Sequence, residues 1–149
     1  MLRVEARHRV GTLDLDVALE VAAGECLALA GPSGAGKTSV LRVVAGLLRP
    51  ERGRVDANGQ TWLDTGSGTD LPPEHRRAGY LFQEYALFPH LTAWQNVAYP
   101  MRGVPRTERR ERALALLDRF GLEQLADARP RTLSGGERQR VALARVLAR

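Results

Sequence analysis

Gly31-Pro32-Ser33-Gly34-Ala35-Gly36-Lys37-Thr38, followed by Ser39, fits the pattern GxxxxGK[ST]. Each residue type in it answers a physical need. Glycines let successive backbone N–H groups turn inward around an anion. A helix opening directly afterwards aims the positive end of its dipole at the same point. Lys37 would reach the β- and γ-phosphates of a nucleotide, and the Thr38 hydroxyl would bind Mg²⁺. Lys37 is the only lysine among 22 basic residues. The flanks supply the context the pattern needs. Cys26–Ala30 is a short apolar run that predicts a buried strand, and Ser39–Leu47 carries apolar residues at helical spacing, with Pro50 as its stop.

Working outward, Leu13, Leu15, Val17, Leu19 and Val21 alternate with Asp14, Asp16 and Glu20, the period of a half-buried strand. Ala22–Glu25 turns the chain. Val55–Trp62 predicts a hairpin with Asn58-Gly59 at its turn, and Thr65–Pro73 reads as a polar loop. Tyr80–Phe82 predicts another buried strand. Thr92 can cap a helix running to about Pro100, and Thr107 begins an amphipathic helix ending near Gly121. Pro130 breaks the chain before a terminal helix. Strands and helices alternate after residue 26, so an α/β fold with an antiparallel β portion at the N-terminus is expected.

The 149 residues amount to one domain's worth of chain, with 44% hydrophobic and 26% charged residues. Apolar runs of about five residues fall far short of the roughly 20 a membrane-spanning helix needs. No secretory h-region follows the N-terminus. The single cysteine, Cys26, excludes an internal disulfide, fits a reducing compartment, and among apolar neighbours reads as an inert core thiol. The net charge of +5 raises a nucleic-acid role, but the arginines are scattered and interleaved with glutamate, as in Arg106–Arg112, which argues against one. His8, His75 and His90 are dispersed and have no metal-ligand spacing.

A second anion-binding pattern lies about 100 residues after the first. In Leu133-Ser134-Gly135-Gly136-Glu137-Arg-Gln-Arg-Val141, a serine caps a helix and two glycines bare its first N–H groups. This resembles the signature motif of ATP-binding-cassette (ABC) ATPases. Tyr80-Leu-Phe-Gln83-Glu84 is similar to the family's Q-loop, and the three motifs stand in family order over essentially the whole chain. Arg76-Arg-Ala-Gly-Tyr-Leu-Phe-Gln-Glu84 and Leu87-Phe-Pro-His90-Leu-Thr92 look most like importers, and within them most like the molybdate-type oxyanion group. Iron, sulfate and polyamine importers share much of this pattern.

The resemblance implies a P-loop NTPase fold with an N-terminal antiparallel β portion and a helical subdomain. The implied divisions are about 1–82 for the β portion and P-loop core, about 83–135 for the Q-loop and helical subdomain, and 134–149 for the signature helix. It implies ATP and Mg²⁺ as ligands, held at Gly31–Ser39, with Thr38 and Gln83 at the metal and Lys37 and Gln83 catalytic. Ser134, Gly135, Gly136 and Glu137 would meet the nucleotide of a second subunit in a head-to-tail dimer. The Gln83–Val97 segment would contact transmembrane permease subunits, and a periplasmic or lipoprotein solute-binding protein would act indirectly. The location implied is cytoplasmic, peripheral on the inner face of the membrane.

Some family parts do not occur within these residues. An apolar strand ending in Asp-Glu is absent, since Leu114–Asp118 lies in a helix-period segment and is followed by Arg119. The chain is therefore expected to be an N-terminal piece lacking later core strands. Alone it is expected to be poorly stable, to bind nucleotide weakly if at all, and not to hydrolyse ATP. The family's adenine-stacking aromatic falls near His8, and the first aromatic in the chain is Trp62. Two alternatives stay open: a non-transport ABC ATPase acting on nucleic acid or ribosomes, and a silent truncated remnant.

Overall fold

The computed structural model describes residues 1–148; the last residue expected in the terminal helix, Arg149, lies outside them. The chain forms two compact units, Met1–Ala78 and Gly79–Arg149. The first holds strands β1 (Leu2–Val10), β2 (Leu13–Val21), β3 (Arg52–Ala57), β4 (Gln60–Asp64) and β5 (Thr69–Asp70), with helix α1 (Lys37–Ala45). The sheet order is β2-β1-β3-β4-β5, antiparallel throughout.

Alternation decides which face is buried. Val4 and Ala6 of β1 point the same way as Val17 and Leu19 of β2, and join Val55, Ala57, Trp62 and Leu63. Val43 of α1, fully buried, closes this core. The opposite face is polar, with Arg7 on Asp16 at 3.0 Å and Arg9 on Asp14 at 3.6 Å across the β1–β2 ladder. Asn58 (φ 52°) and Gly59 (φ 80°) form the β3–β4 turn, where both central residues need positive φ. A bulge between Val55 and Asp56 shifts the register after that turn. The loop expected over Thr65–Pro73 contains β5.

Arg76 holds this unit together from inside. Its side chain is 1% exposed. It donates to the carbonyls of Val43 (2.7 Å), Val44 (2.9 Å), Leu71 (2.7 Å) and Trp62 (3.4 Å), and to Asp70 at 3.2 Å. The end of α1 is thus tied to the β4–β5 edge by a cation placed at the negative pole of the helix. Helix α1 stops at Gly46, whose αL conformation lets Leu47 N–H reach Arg42 O at 2.8 Å. Gly46, ahead of Pro50, is therefore the stop.

Two strand expectations are corrected. Cys26–Ala30 and Tyr80–Phe82 form no regular element and belong to no ladder. Cys26 is exposed, not a core thiol, and Leu27 and Phe82 are 46% and 44% exposed. An apolar run becomes a strand only when a neighbouring backbone pairs with it, and none of the described strands pairs with either run.

The second unit holds helices α2 (Ala93–Ala98), α3 (Arg106–Arg119) and α4 (Gly135–Leu147), with 3₁₀ turns at Glu123–Leu125 and Pro130–Thr132. Alanines at 93, 113 and 144, all fully buried, let the helices approach around Val97, Leu117, Leu122 and Val141. Thr92 caps α2 in a reciprocal pair with Gln95. Asn96 is buried on α2: its amide donates to Phe88 O, Leu91 O and Thr92 O at 3.0–3.2 Å and accepts from Phe88 N–H at 2.8 Å. Helix α3 starts at Arg106, one residue before the expected Thr107, with Pro105 preceding it. Leu114–Asp118 lies within α3, as its spacing requires.

Candidate functional site

In the first unit, the loop 31–36 leads into α1 with glycines at positive φ: Gly31 at 152°, Gly34 at 84° and Gly36 at 82°. No side chain caps the helix, because its N-cap is Gly36. Among the described residues the N–H groups of Gly34, Gly36, Lys37, Thr38 and Ser39 meet no acceptor, so the start of the helix carries free donors. Leucines build the floor. A Cβ at Gly36 would come within 3.0 Å of Leu15 Cδ1 and 3.1 Å of Leu13 Cδ2, both on β2. Gly36 therefore lies close against β2.

Lys37 folds its ammonium over the loop, donating to Gly31 O at 2.8 Å and Pro32 O at 2.7 Å. That places a compact cation beside the loop, on a flexible stem within reach of an anion the donors would hold. Thr38 and Ser39 stand in the first turn of α1 with half-buried side chains. The chemistry fits a polyphosphate: backbone donors, a helix N-terminus, one lysine and a hydroxyl suited to Mg²⁺. Pro32, Ser33 and Ala35 supply the exposed rim. His8 lies on β1 opposite Leu15. Its Nδ1 is buried without a hydrogen-bond partner among the described residues, and Glu51 Oε1 stands 3.8 Å away.

The second unit presents the other helix N-terminus. Ser134 is the N-cap of α4; its Oγ accepts from Glu137 N–H at 3.3 Å, and Glu137 Oε2 accepts from Ser134 N–H at 2.7 Å. The bond from the Ser134 backbone N–H first, then the Ser134 side chain, more than the nearby Arg140, hold the Glu137 carboxyl below its ordinary range. Gly135 and Gly136 keep free N–H groups, and nothing lies within 4 Å of a Cβ built on Gly135. The Glu137 carboxylate accepts from the helix start at Ser134 N–H. The free donors are those of Gly135 and Gly136.

Gln83 is exposed on the turn 83–86, with Tyr85 (φ 60°) and Ala86 (φ 44°) left-handed. After it, Phe88 packs on Tyr99 with centroids 4.4 Å apart and on His90 at 6.1 Å, and Tyr99 is 60% exposed. Motif reading missed the buried anchors Arg76 and Asn96 and the half-buried Arg145. Only their positions beside motifs hinted at them.

The sequence model described as "ABC transporter" matches residues 15–149, and so covers both helix N-termini. The chain belongs to the ABC transporter family. It is 47% identical to the molybdenum import ATP-binding protein ModC of Paramagnetospirillum magneticum over 99% of its length, covering 40% of that protein. It is 46% identical to the molybdate/tungstate import ATP-binding protein WtpC of Archaeoglobus fulgidus, covering 98% of this chain and 58% of that one. Among solved structures it superposes, with a TM-score of 0.80 and 34% identity, on a dimeric post-hydrolysis ATP-binding cassette bound to ADP and Pi, over 99% of this chain and 69% of the other. The chain thus spans about half the length of the curated relatives it matches, and the ABC ATPase fold read from its motifs is the fold it has. No helix among the described residues is long and apolar enough to cross a membrane.

Proposed function

We propose that this chain is the nucleotide-binding part of an ABC importer subunit that uses ATP to drive uptake of a small oxyanion of the molybdate type. The observation that carries the reading is the loop 31–38, where free N–H donors open α1 and the Lys37 ammonium lies over the loop. Fixed donors of this kind stabilise the negative charge of the β- and γ-phosphates without reorganising. Thr38 would hold Mg²⁺, which offsets charge on the phosphate oxygens when bound. Gln83 is proposed to meet the Mg²⁺ and the attacking water, on the strength of the family resemblance.

The uncapped donors of Gly135 and Gly136, with the Ser134 hydroxyl, are proposed to meet the γ-phosphate bound by a second copy. A head-to-tail pair would then enclose two nucleotides. Closing on ATP would do conformational work on permease subunits docked at Gln83–Val97, where Phe88, His90 and Tyr99 gather. The substrate class rests on the names of the relatives, since a nucleotide-binding subunit does not touch the transported solute.

The deciding experiment is uptake of labelled molybdate by cells carrying the protein from its own gene. Wild type should accumulate molybdate, while Lys37→Ala should lose at least nine-tenths of the uptake with unchanged protein level. Normal molybdate uptake together with lost uptake of another solute would move the substrate class. Retained uptake of every solute tested in Lys37→Ala would refute the role of the loop.

A further inference from the structure

Arg145 stands in the last turn of α4, the helix that begins at Ser134, and it reaches back across about 60 residues of sequence. Its Nη1 donates to Ala86 O and its Nη2 to Tyr85 O, both at 2.7 Å. Two adjacent carbonyls are met by one rigid fork, a geometry the guanidinium has and an ammonium lacks. The carbonyls can share that fork because Tyr85 and Ala86 are both left-handed, which L-residues adopt only when their surroundings impose it. The guanidinium carbon also lies 5.6 Å from the centroid of the Phe88 ring. Among the described residues no carboxylate pairs with it, so its charge is committed to this loop. Partial burial draws its pKa below the ordinary arginine value.

Val146 makes a second contact from the same turn. It fills the space where Gly79 has no Cβ, and any side chain there would collide with Val146 Cγ1. Gln83 therefore lies on a stretch held at both ends, at Gly79 and at Tyr85–Ala86, by consecutive residues of one helix.

We propose that Arg145 is a positioning residue that fixes the Gln83 loop to the C-terminal end of the signature helix. The glycine-flanked N-terminus of α4 and the loop leading to Phe88 then move as one piece. The catalytic consequence, though not the clamp itself, rests on the role proposed above for Gln83.

Two variants test this in the protein expressed from its own gene. Arg145→Gln removes the fork, and Arg145→Lys keeps the charge but cannot span both carbonyls. Amide hydrogen exchange of residues 84–88 should quicken at least tenfold in Arg145→Gln and about threefold in Arg145→Lys, with α2 and α3 unchanged. Exchange within twofold of wild type in a folded variant would overturn the clamp. If Arg145→Gln loses its cooperative melt, Arg145→Lys decides. In ATP turnover, Arg145→Gln should lower kcat at least tenfold with KM within twofold, and add nothing to Gln83→Ala. Independent, multiplicative losses would overturn action through the loop. If Gln83→Ala alone leaves turnover intact, the role of Gln83 fails, and the clamp is still judged by exchange.

Discussion

Replacing Arg76 by leucine should be among the most damaging single changes in the first unit. The side chain is 1% exposed and makes five hydrogen bonds. Not all of its acceptors would be stranded. Val43 O also receives Gly46 N–H at 3.1 Å, and Trp62 O receives Leu71 N–H at 2.7 Å. Asp70 is one-third exposed and keeps Arg49 at 3.5 Å. Val44 O and Leu71 O lose their donor, and a buried carbonyl left unpaired costs about 1–3 kcal/mol. Losing the cation at the end of α1 adds roughly 0.3–1 kcal/mol. Leucine recovers part of this by apolar burial, so a net loss of about 3–5 kcal/mol is expected, in line with breaking a buried charge network. Urea titration followed by fluorescence of Trp62, which is 6% exposed, measures it. Arg76→Lys should fall between, since one ammonium cannot reach acceptors on α1 and on the β4–β5 edge together. A loss below about 1 kcal/mol in Arg76→Leu would show that water or rearranged backbone satisfies those carbonyls, and the latch argument would fail.

Three further outcomes follow from named contacts. Gly46→Ala should cost more than about 1 kcal/mol, because φ is 77° and the new Cβ would sit 2.8 Å from Arg76 Nε and Cζ; a neutral result would place the αL requirement in doubt. Asn96→Ala should cost about 2–4 kcal/mol and loosen the turn at Phe88, read as a lower melting temperature with faster exchange at Phe88, whereas an unchanged melt would mean that Asn96 is dispensable. The Glu137 carboxyl is held below its ordinary range by the Ser134 bonds, so its contribution is present above that range and lost as pH falls through its lowered folded value. Wild type should therefore lose more stability on acidification than Glu137→Gln, and parallel acid curves would contradict the capping role.

What could be read in the residues follows from how local each cause is. The Asn58-Gly59 turn, the Thr92 and Ser134 caps and the Leu13–Val21 alternation each depend on a few neighbouring residues, and all were legible. The octet 31–38 was legible for the same reason, because glycine conformations and the helix start are encoded within it. Cys26–Ala30 and Tyr80–Phe82 were not, since apolar composition signals burial while a strand needs a partner from elsewhere in the chain. Arg76 and Arg145 were hidden among many arginines. Their roles come from carbonyls 5 to 60 residues away, and no periodicity marks such a contact. The exposed Cys26 follows from the same missing ladder.

The central claim is that residues 31–38 bind the phosphates of a nucleotide. Equilibrium titration with ATP and Mg²⁺, comparing the protein expressed from its own gene with its Lys37→Ala variant, tests it most directly. The account predicts saturable binding by the wild type and an affinity at least tenfold weaker in Lys37→Ala at unchanged melting temperature. Equal affinity in the two would contradict it.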